Sequence, residues 1–259
     1  MALISARYPS KILHKQVELH ALIPESGKGP FPVYYLLHGG GDDSSNWIRY
    51  SQIELYSETS PFIVVMPDCY YSFCVDHHEG PAYARYLMED VVQFVDRSFH
   101  TISERAGRCI GGISMGGYGA LHLAISNPHM FCSANSTAGC FGFWDDHLAH
   151  WGMTFDVDYQ ALLRRIHGPR TAGSDLDLFA LAEKAKRTHC KMPELRLDCG
   201  LSDSLLTTNR AYHAHLSALG IAHEYAEGEG AHNWNYFGSE ISNALAFHAR
   251  QLGKPSAPR

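Results

Sequence analysis

The sequence predicts an α/β fold, a mostly parallel sheet with helices on both faces. Short continuous apolar runs recur at Val33–Leu37, Ile63–Met66, Arg108–Ile113, Cys132–Ser136, Leu195–Cys199 and Ala222–Ala226. That is how strands read when both their faces are covered. Helix-like stretches separate them, and strands alternating with helices make a parallel sheet. The chain has 259 residues, 45% of them hydrophobic, enough for a full core in one domain spanning 1–259.

The elements follow in order. Residues from Ile4 to Ala21 read as two antiparallel edge strands. Pro24–Pro30 is a polar turn region before the first core strand. Ala82–Ser98 is the clearest helix, with Tyr86, Val91, Phe94 and Val95 at helical spacing. A small-residue helix follows Gly116, another follows Asp203, and a last one carries His248. His223 is placed inside the last strand. Residues 141–174 interrupt the rhythm with Trp144, His147, His150, Trp151, Phe155 and Tyr159. An insertion there falls over the C-terminal ends of the strands, as a small lid or pocket wall. The tail from Lys254 is expected to fray.

Three segments carry chemistry. Gly112-Ile113-Ser114-Met115-Gly116 fits the G-x-S-x-G elbow, entered from the apolar Cys109-Ile110 and left by a helix. The serine of such an elbow sits on a strained turn, and neighbouring side chains would collide, so glycines flank it. The helix behind it aims its first N–H groups at a nearby oxyanion. Upstream, the Val33–Leu37 strand ends in His38-Gly39-Gly40-Gly41, a loop able to turn backbone N–H groups inward. Downstream, Asp198 and Asp203 compete as the acid. Asp203 is preferred because it lies in a loop, from which a carboxylate reaches a second loop; its other role is a helix N-cap. Asp198 reads as a strand residue satisfied by its neighbours. Among 17 histidines, His232 lies after the last strand and before the last helix, completing the order serine, acid, histidine. His38 breaks that order and is read as shaping the glycine loop.

These segments resemble the esterase D-like branch of the α/β-hydrolases, and within it the small bacterial tributyrin esterases, relatives of feruloyl and acetylxylan esterase domains. The resemblance rests on Tyr35-Leu36-Leu37-His38-Gly39 with Trp47 downstream, Ile63–Pro67, the extended elbow Gly112–Gly119, Cys199-Gly200-Leu201-Ser202-Asp203 and Gly230-Ala231-His232-Asn233-Trp234. It spans about residue 5 to about residue 250. It implies an α/β-hydrolase fold and a Ser114–Asp203–His232 triad. It also implies an oxyanion hole from the backbone N–H groups of Met115 and Gly40. Gly41, Trp144, Trp151 and Trp234 are assigned to substrate binding. The departure is Gly40-Gly41-Asp42, where many relatives carry larger residues. The implied activity is hydrolysis of short acyl esters, acetyl to butyryl, including esters on sugars. An S-formylglutathione-type thioesterase or an acyltransferase is the alternative; a catalytically silent binding protein on the same fold stands outside the enzyme class.

Composition bounds the rest. The net charge of −6 with no basic stripe gives no support for nucleic-acid binding. Seven scattered cysteines form no even, spaced framework. No run of about 18 apolar residues is present and the first residues do not read as a signal peptide, so a cytoplasmic location without membrane contact is expected. Asp76, His77 and His78 lack metal-site spacing, and adjacent histidines on a strand point to opposite sides. No metal or cofactor is expected. The expected partner is a small-molecule ester, with a homo-oligomer left open.

Overall fold

The computed structural model describes residues 1–25, 27–142 and 157–252. Eight strands form one sheet: β1 (Ala2–Ser10), β2 (Lys15–Ile23), β3 (Val33–Leu37), β4 (Ile63–Pro67), β5 (Arg108–Ile113), β6 (Ser133–Thr137), β7 (Glu194–Gly200) and β8 (Glu224–Gly228). Their spatial order is β1-β2-β4-β3-β5-β6-β7-β8. The first two strands run antiparallel, and every pair from β4 to β8 is parallel. β3 and β5 match their sequence bounds. β6 starts one residue later than expected because Cys132, though apolar, still belongs to the preceding turn, where its N–H donates to Arg108 O. β8 starts at Glu224, so His223 stands just before the strand rather than in it.

All five residues of β3 and of β4 are buried. Their side chains alternate between two cores, as the period-2 pleat requires. Tyr35 and Leu37 enter one core, Tyr34 and Leu36 the other. The second core lies under α1 (Asn46–Tyr50), α2 (Ile53–Ser57) and the last helix. Neither of those two short helices is legible in the sequence, since five residues are too few for a helical period. On the other face, α3 (Tyr83–Arg85) runs through a π-helical stretch, Tyr86–Val91, into α4 (Val92–Ser98), realising the expected 82–98 helix. Next in the chain come α5 (Met115–Ser126), α6 (Val157–His167), α7 (Leu178–Arg187), α8 (Leu206–Ala218) and α9 (Trp234–Gln251). α5 is buried from Met115 to Ile125, which explains why its sequence is apolar and small all round.

The order of strands positions the site. β3 leads to β4 on one side, whereas β5 leads to β6, β7 and β8 on the other. The chain therefore changes direction between β3 and β5, and the loops leaving their C-terminal ends open a crevice there. Leu37 pairs in register with Gly112, so the glycine loop and the serine elbow leave the sheet side by side.

A buried polar network ties the sheet to α9. Ser133 Oγ lies 2.8 Å from His248 Nδ1, His248 Nε2 lies 2.9 Å from Asn135 Oδ1, and the Tyr34 hydroxyl donates to the same Oδ1 at 2.7 Å. Asn135 Oδ1 can only accept, so the ring is the neutral tautomer carrying its proton on Nε2. Burial pushes His248 down to about 3, and burial likewise pushes His122 and His167 to about 4. Folded values below the unfolded histidine value mean that the unfolded chain takes up protons first. The contribution of these groups is complete above about pH 6.5 and is lost as the pH falls toward about 4, each proton costing about 1.4 kcal/mol per pH unit. Glutamine can keep both hydrogen bonds of the neutral ring. Urea titrations of His248→Gln between pH 6.5 and 4.5 should therefore show a shallower loss of stability than wild type; an unchanged slope would remove His248 from the acid response.

Candidate active site

The elbow is built by close backbone approach. Ser114 has φ 52° and ψ −117°, a costly conformation for a residue with a side chain. A Cβ on Gly116 would stand 2.4 Å from His38 O, and one on Gly112 would stand 2.7 Å from the Gly116 carbonyl. Only glycines let the start of α5 sit on the ends of β3 and β5. The strained turn is secured by Ser114 N–H donating to Thr137 O at 3.0 Å and Cys140 N–H donating to Ser114 O at 3.1 Å.

The structure brings Ser114, His232 and Asp203 together. Ser114 Oγ lies 2.9 Å from His232 Nε2, and His232 Nδ1 lies 2.8 Å from Asp203 Oδ2. The Asp203 side chain is fully buried, while that of His232 is 30% exposed. A buried carboxylate facing Nδ1 holds the ring with Nε2 free to receive the serine proton. The other Asp203 oxygen accepts the Leu205 N–H at 2.8 Å. The residue is thus both the turn-capping and the histidine-facing carboxylate, one oxygen for each task. Its loop is stitched to the histidine loop by Leu201 N–H to Gly228 O and Ser202 N–H to Gly230 O, both 2.8 Å. Directly after His232, Asn233 caps α9 by accepting the N–H groups of Asn235 and Tyr236.

Asp198 has a different environment. It is fully buried in β7, with the Thr137 hydroxyl at 3.1 Å, the Tyr236 hydroxyl at 3.4 Å and Arg196 at 3.5 Å. It touches neither Ser114 nor His232 among these contacts.

Met115 opens α5, so its N–H has no intrahelical acceptor. Gly40 and Gly41 are exposed at the crevice, Gly41 at φ 84° with open space around it. His38 braces this loop: its Nδ1 lies 2.8 Å from Gly39 O, and Cys69 N–H donates to its Nε2 at 3.0 Å. Nδ1 faces a carbonyl oxygen, which can only accept, so it carries a proton, and the Asp68 carboxylate stands 3.5 Å from Nε2. Trp234 is half-buried, edge-on to Trp47 at 5.1 Å and 5.7 Å from Tyr50, and its indole opposes the upward push that burial gives the Asp42 carboxyl. It thereby ties the histidine loop to the glycine loop. Trp144 and Trp151, with His147 and His150, lie outside the described residues. His77 and His78 flank the end of α6, where His78 N–H donates to Ile166 O at 2.9 Å.

Two further residues border the site, the second of them in the Cys69–His78 segment that follows a strand end and is expected to face the cleft. Cys140 Sγ lies 3.3 Å from Ser114 Oγ. Burial pushes its thiol up to about 12, so it stays protonated beside the serine oxygen. The turn that brings it there passes through Ala138 at φ 49°. Tyr71 packs against Gly40 and hydrogen-bonds Tyr159 of α6.

The two aspartates are separable by experiment. Burial pushes Asp198 up to about 7, above the unfolded carboxylate value of about 3.9, so the folded chain keeps a proton that the unfolded chain releases. Its contribution is full below about pH 4 and is lost as the pH rises toward about 7. Asp198→Asn should remove that component from the pH dependence of urea unfolding and leave turnover of an activated ester within a few-fold. Asp203→Asn should cut kcat by ~10⁴, the cost of a wrong histidine tautomer in serine proteases. Swapped outcomes in well-folded variants would reverse the two assignments.

The Esterase family model matches residues 10–248 of the chain. The acetyl esterase of Caldicellulosiruptor saccharolyticus is 27% identical over 269 residues, covering 96% of this chain and 99% of that enzyme. Among solved structures, the substrate-bound fluorophosphonate-binding serine hydrolase F (FphF) of Staphylococcus aureus superposes with a TM-score of 0.85 at 24% identity, covering 96% of this chain and 98% of the other. A ferulic acid esterase superposes with a TM-score of 0.84 at 19% identity, covering 97% and 98%. The S-formylglutathione hydrolase of S. aureus gives 0.84 at 24%, covering 96% and 98%. These last three likenesses are of fold, and the fold is that of the α/β-hydrolases. The family match extends over β2 to β8, the elbow and both loops that meet it, and the chain belongs to the Esterase family, as a serine carboxylic ester hydrolase.

Proposed function

We propose that the chain hydrolyses short-chain acyl esters, acetyl to butyryl, on small alcohols or sugars, through an acyl-enzyme on Ser114. One observation carries the reading: the unbroken relay from Asp203 through His232 to Ser114, with hydrogen bonds of 2.8 and 2.9 Å, on a strained elbow. The full-length similarity to an acetyl esterase supports the acyl length.

In the first step Ser114 Oγ attacks the ester carbonyl while its proton passes to His232 Nε2. Asp203 stabilises the imidazolium and keeps Nδ1 protonated. The N–H groups of Met115 and Gly40 receive the oxyanion, each such donor being typically worth ~10²–10³ in rate. As the tetrahedral species collapses, His232 returns the proton to the leaving alkoxide. In the second step His232 takes a proton from water, hydroxide adds to the acyl carbonyl, and Ser114 leaves with the proton back on its oxygen. No cofactor enters the scheme. The substrate is a freely diffusing ester in the cytoplasm, a reading supported by seven cysteines that are all free thiols. Among the described residues no helix is long and apolar enough to cross a membrane.

Ser114→Ala should fold normally and lose at least ~10⁴ of kcat, the scale on which single triad members act. A fluorophosphonate probe should label wild type once, at Ser114. A series of p-nitrophenyl esters from acetate to palmitate, with S-formylglutathione alongside, should give the highest kcat/KM between acetate and butyrate. Highest turnover of S-formylglutathione would move the chain to the thioesterases, and turnover by Ser114→Ala would remove the nucleophile.

A further inference from the structure

Gly40 is not required by its own backbone. Its φ lies outside the left-handed region, so the main chain there accepts any side chain. A neighbour forbids one instead. A Cβ built on Gly40 would stand 2.8 Å from Tyr71 Cε2, 3.0 Å from Cζ and 3.1 Å from Oη, and these are its three nearest atoms. The Tyr71 ring fills the volume that a side chain at position 40 would need.

Tyr71 is held in that place from both ends. It sits in the loop after β4, where Tyr70, Phe73 and Cys74 have φ of 49°, 51° and 57°. So much left-handed backbone in non-glycine residues persists only when the surroundings impose it. Here Ser72 imposes it, with its buried hydroxyl donating to Cys69 O at 2.5 Å and accepting the Cys74 N–H at 3.0 Å. The base of the loop is pinned to the glycine loop by Cys69 N–H on His38 Nε2 at 3.0 Å. At its tip the Tyr71 hydroxyl lies 2.5 Å from that of Tyr159, the rings edge-on with centroids 5.9 Å apart. Tyr159 belongs to α6, the described helix of the insertion. Tyr71 lies against Gly40, two residues after His38, whose carbonyl oxygen lies against Gly116 in the first turn behind Ser114, so the pair stands beside the elbow.

We propose that Tyr71 is a positioning residue for the oxyanion loop: its ring bears on Gly40 and holds that residue's N–H in place, and the Tyr159 hydroxyl clamps the ring from the insertion helix. The role rests on the esterase reading of the same site. It makes residues 40 and 71 a coupled pair that must share one volume. It also makes α6 act on the oxyanion hole through a single hydrogen bond.

The test is a double-mutant cycle read by kcat and KM on p-nitrophenyl acetate and by the inhibition constant of a trifluoromethyl ketone, which needs the oxyanion donors in order to bind. Gly40→Ala should lower kcat by at least ~100-fold with KM little changed, the scale of one lost donor. Tyr71→Ala should lower it about tenfold, and Gly40→Ala/Tyr71→Ala should be faster than Gly40→Ala alone, because the methyl then has room. Tyr71→Phe and Tyr159→Phe keep both rings. Each should cost about fivefold, and together no more than either, since they remove the same hydrogen bond. Ketone inhibition should weaken by the same factors as kcat/KM, while melting temperatures move independently of them. The hydroxyl pair decides the matter if the alanine variants do not fold. A wild-type rate for Gly40→Ala, a double variant no faster than Gly40→Ala, or additive losses for the two phenylalanine changes would each overturn the proposal. Ser114→Ala, assayed in parallel, separates the two failures: if it is inactive while the cycle is additive, only the role of Tyr71 falls.

Discussion

Everything at this site depends on how closely two pieces of backbone approach. The first turn of α5 rests on the C-terminal ends of β3 and β5 with no room for a Cβ at Gly112 or Gly116. That contact forces Ser114 to φ 52° and lifts its hydroxyl from the sheet toward His232. The same contact places the His38–Gly41 loop beside the elbow, because the atom met by a Gly116 Cβ is the carbonyl oxygen of His38. Nucleophile and oxyanion loop are thus two consequences of one packing event. A single methyl group inserted there would displace both.

Around this contact the polar groups fall into two kinds. Buried groups hold the frame: His248 between Ser133 and Asn135, His38 between Gly39 and Cys69, and Asp198 among Thr137, Tyr236 and Arg196. Charge inside the sheet is costly, so each of these is either neutral or held by several donors. Asp203 and His232 instead sit in loops with one group partly open to solvent. The reacting groups stand in loops at the rim, and the groups that brace the sheet stand inside it.

Much of this was legible because the responsible forces act locally. Continuous apolar runs reported β3 and β5 to the residue, since both strands are covered on both faces. Gly112, Ser114 and Gly116 announced the elbow because the steric demand lies within five residues. Asp203 and His232 followed from chain order and loop placement. Asp203 reads as either a helix N-cap or a catalytic partner; the helix that follows is capped at Leu205 without a side-chain bond, and Asp203 instead closes the turn before it with one oxygen and faces His232 with the other. What the sequence could not reveal depends on contacts between distant segments. Nothing near Cys140 marks it as a neighbour of Ser114, because a left-handed turn at Ala138 brings it there. Tyr71 lies in an aromatic loop without period, and its meaning appears only when Gly40 faces it. Trp234 reads as a substrate contact, and its packing on Trp47, Tyr50 and Phe237 is visible only in the fold.

The separation of the relay along the chain has its own consequence. His232 lies 118 residues after Ser114, and its loop hangs from β8, the edge strand paired only with β7. Nucleophile and base are therefore carried by strands that do not touch, and the serine has its proton acceptor only while the sheet is continuous from β5 through β6 and β7 to β8. Anything that loosens that edge disarms the hydroxyl without altering the elbow itself.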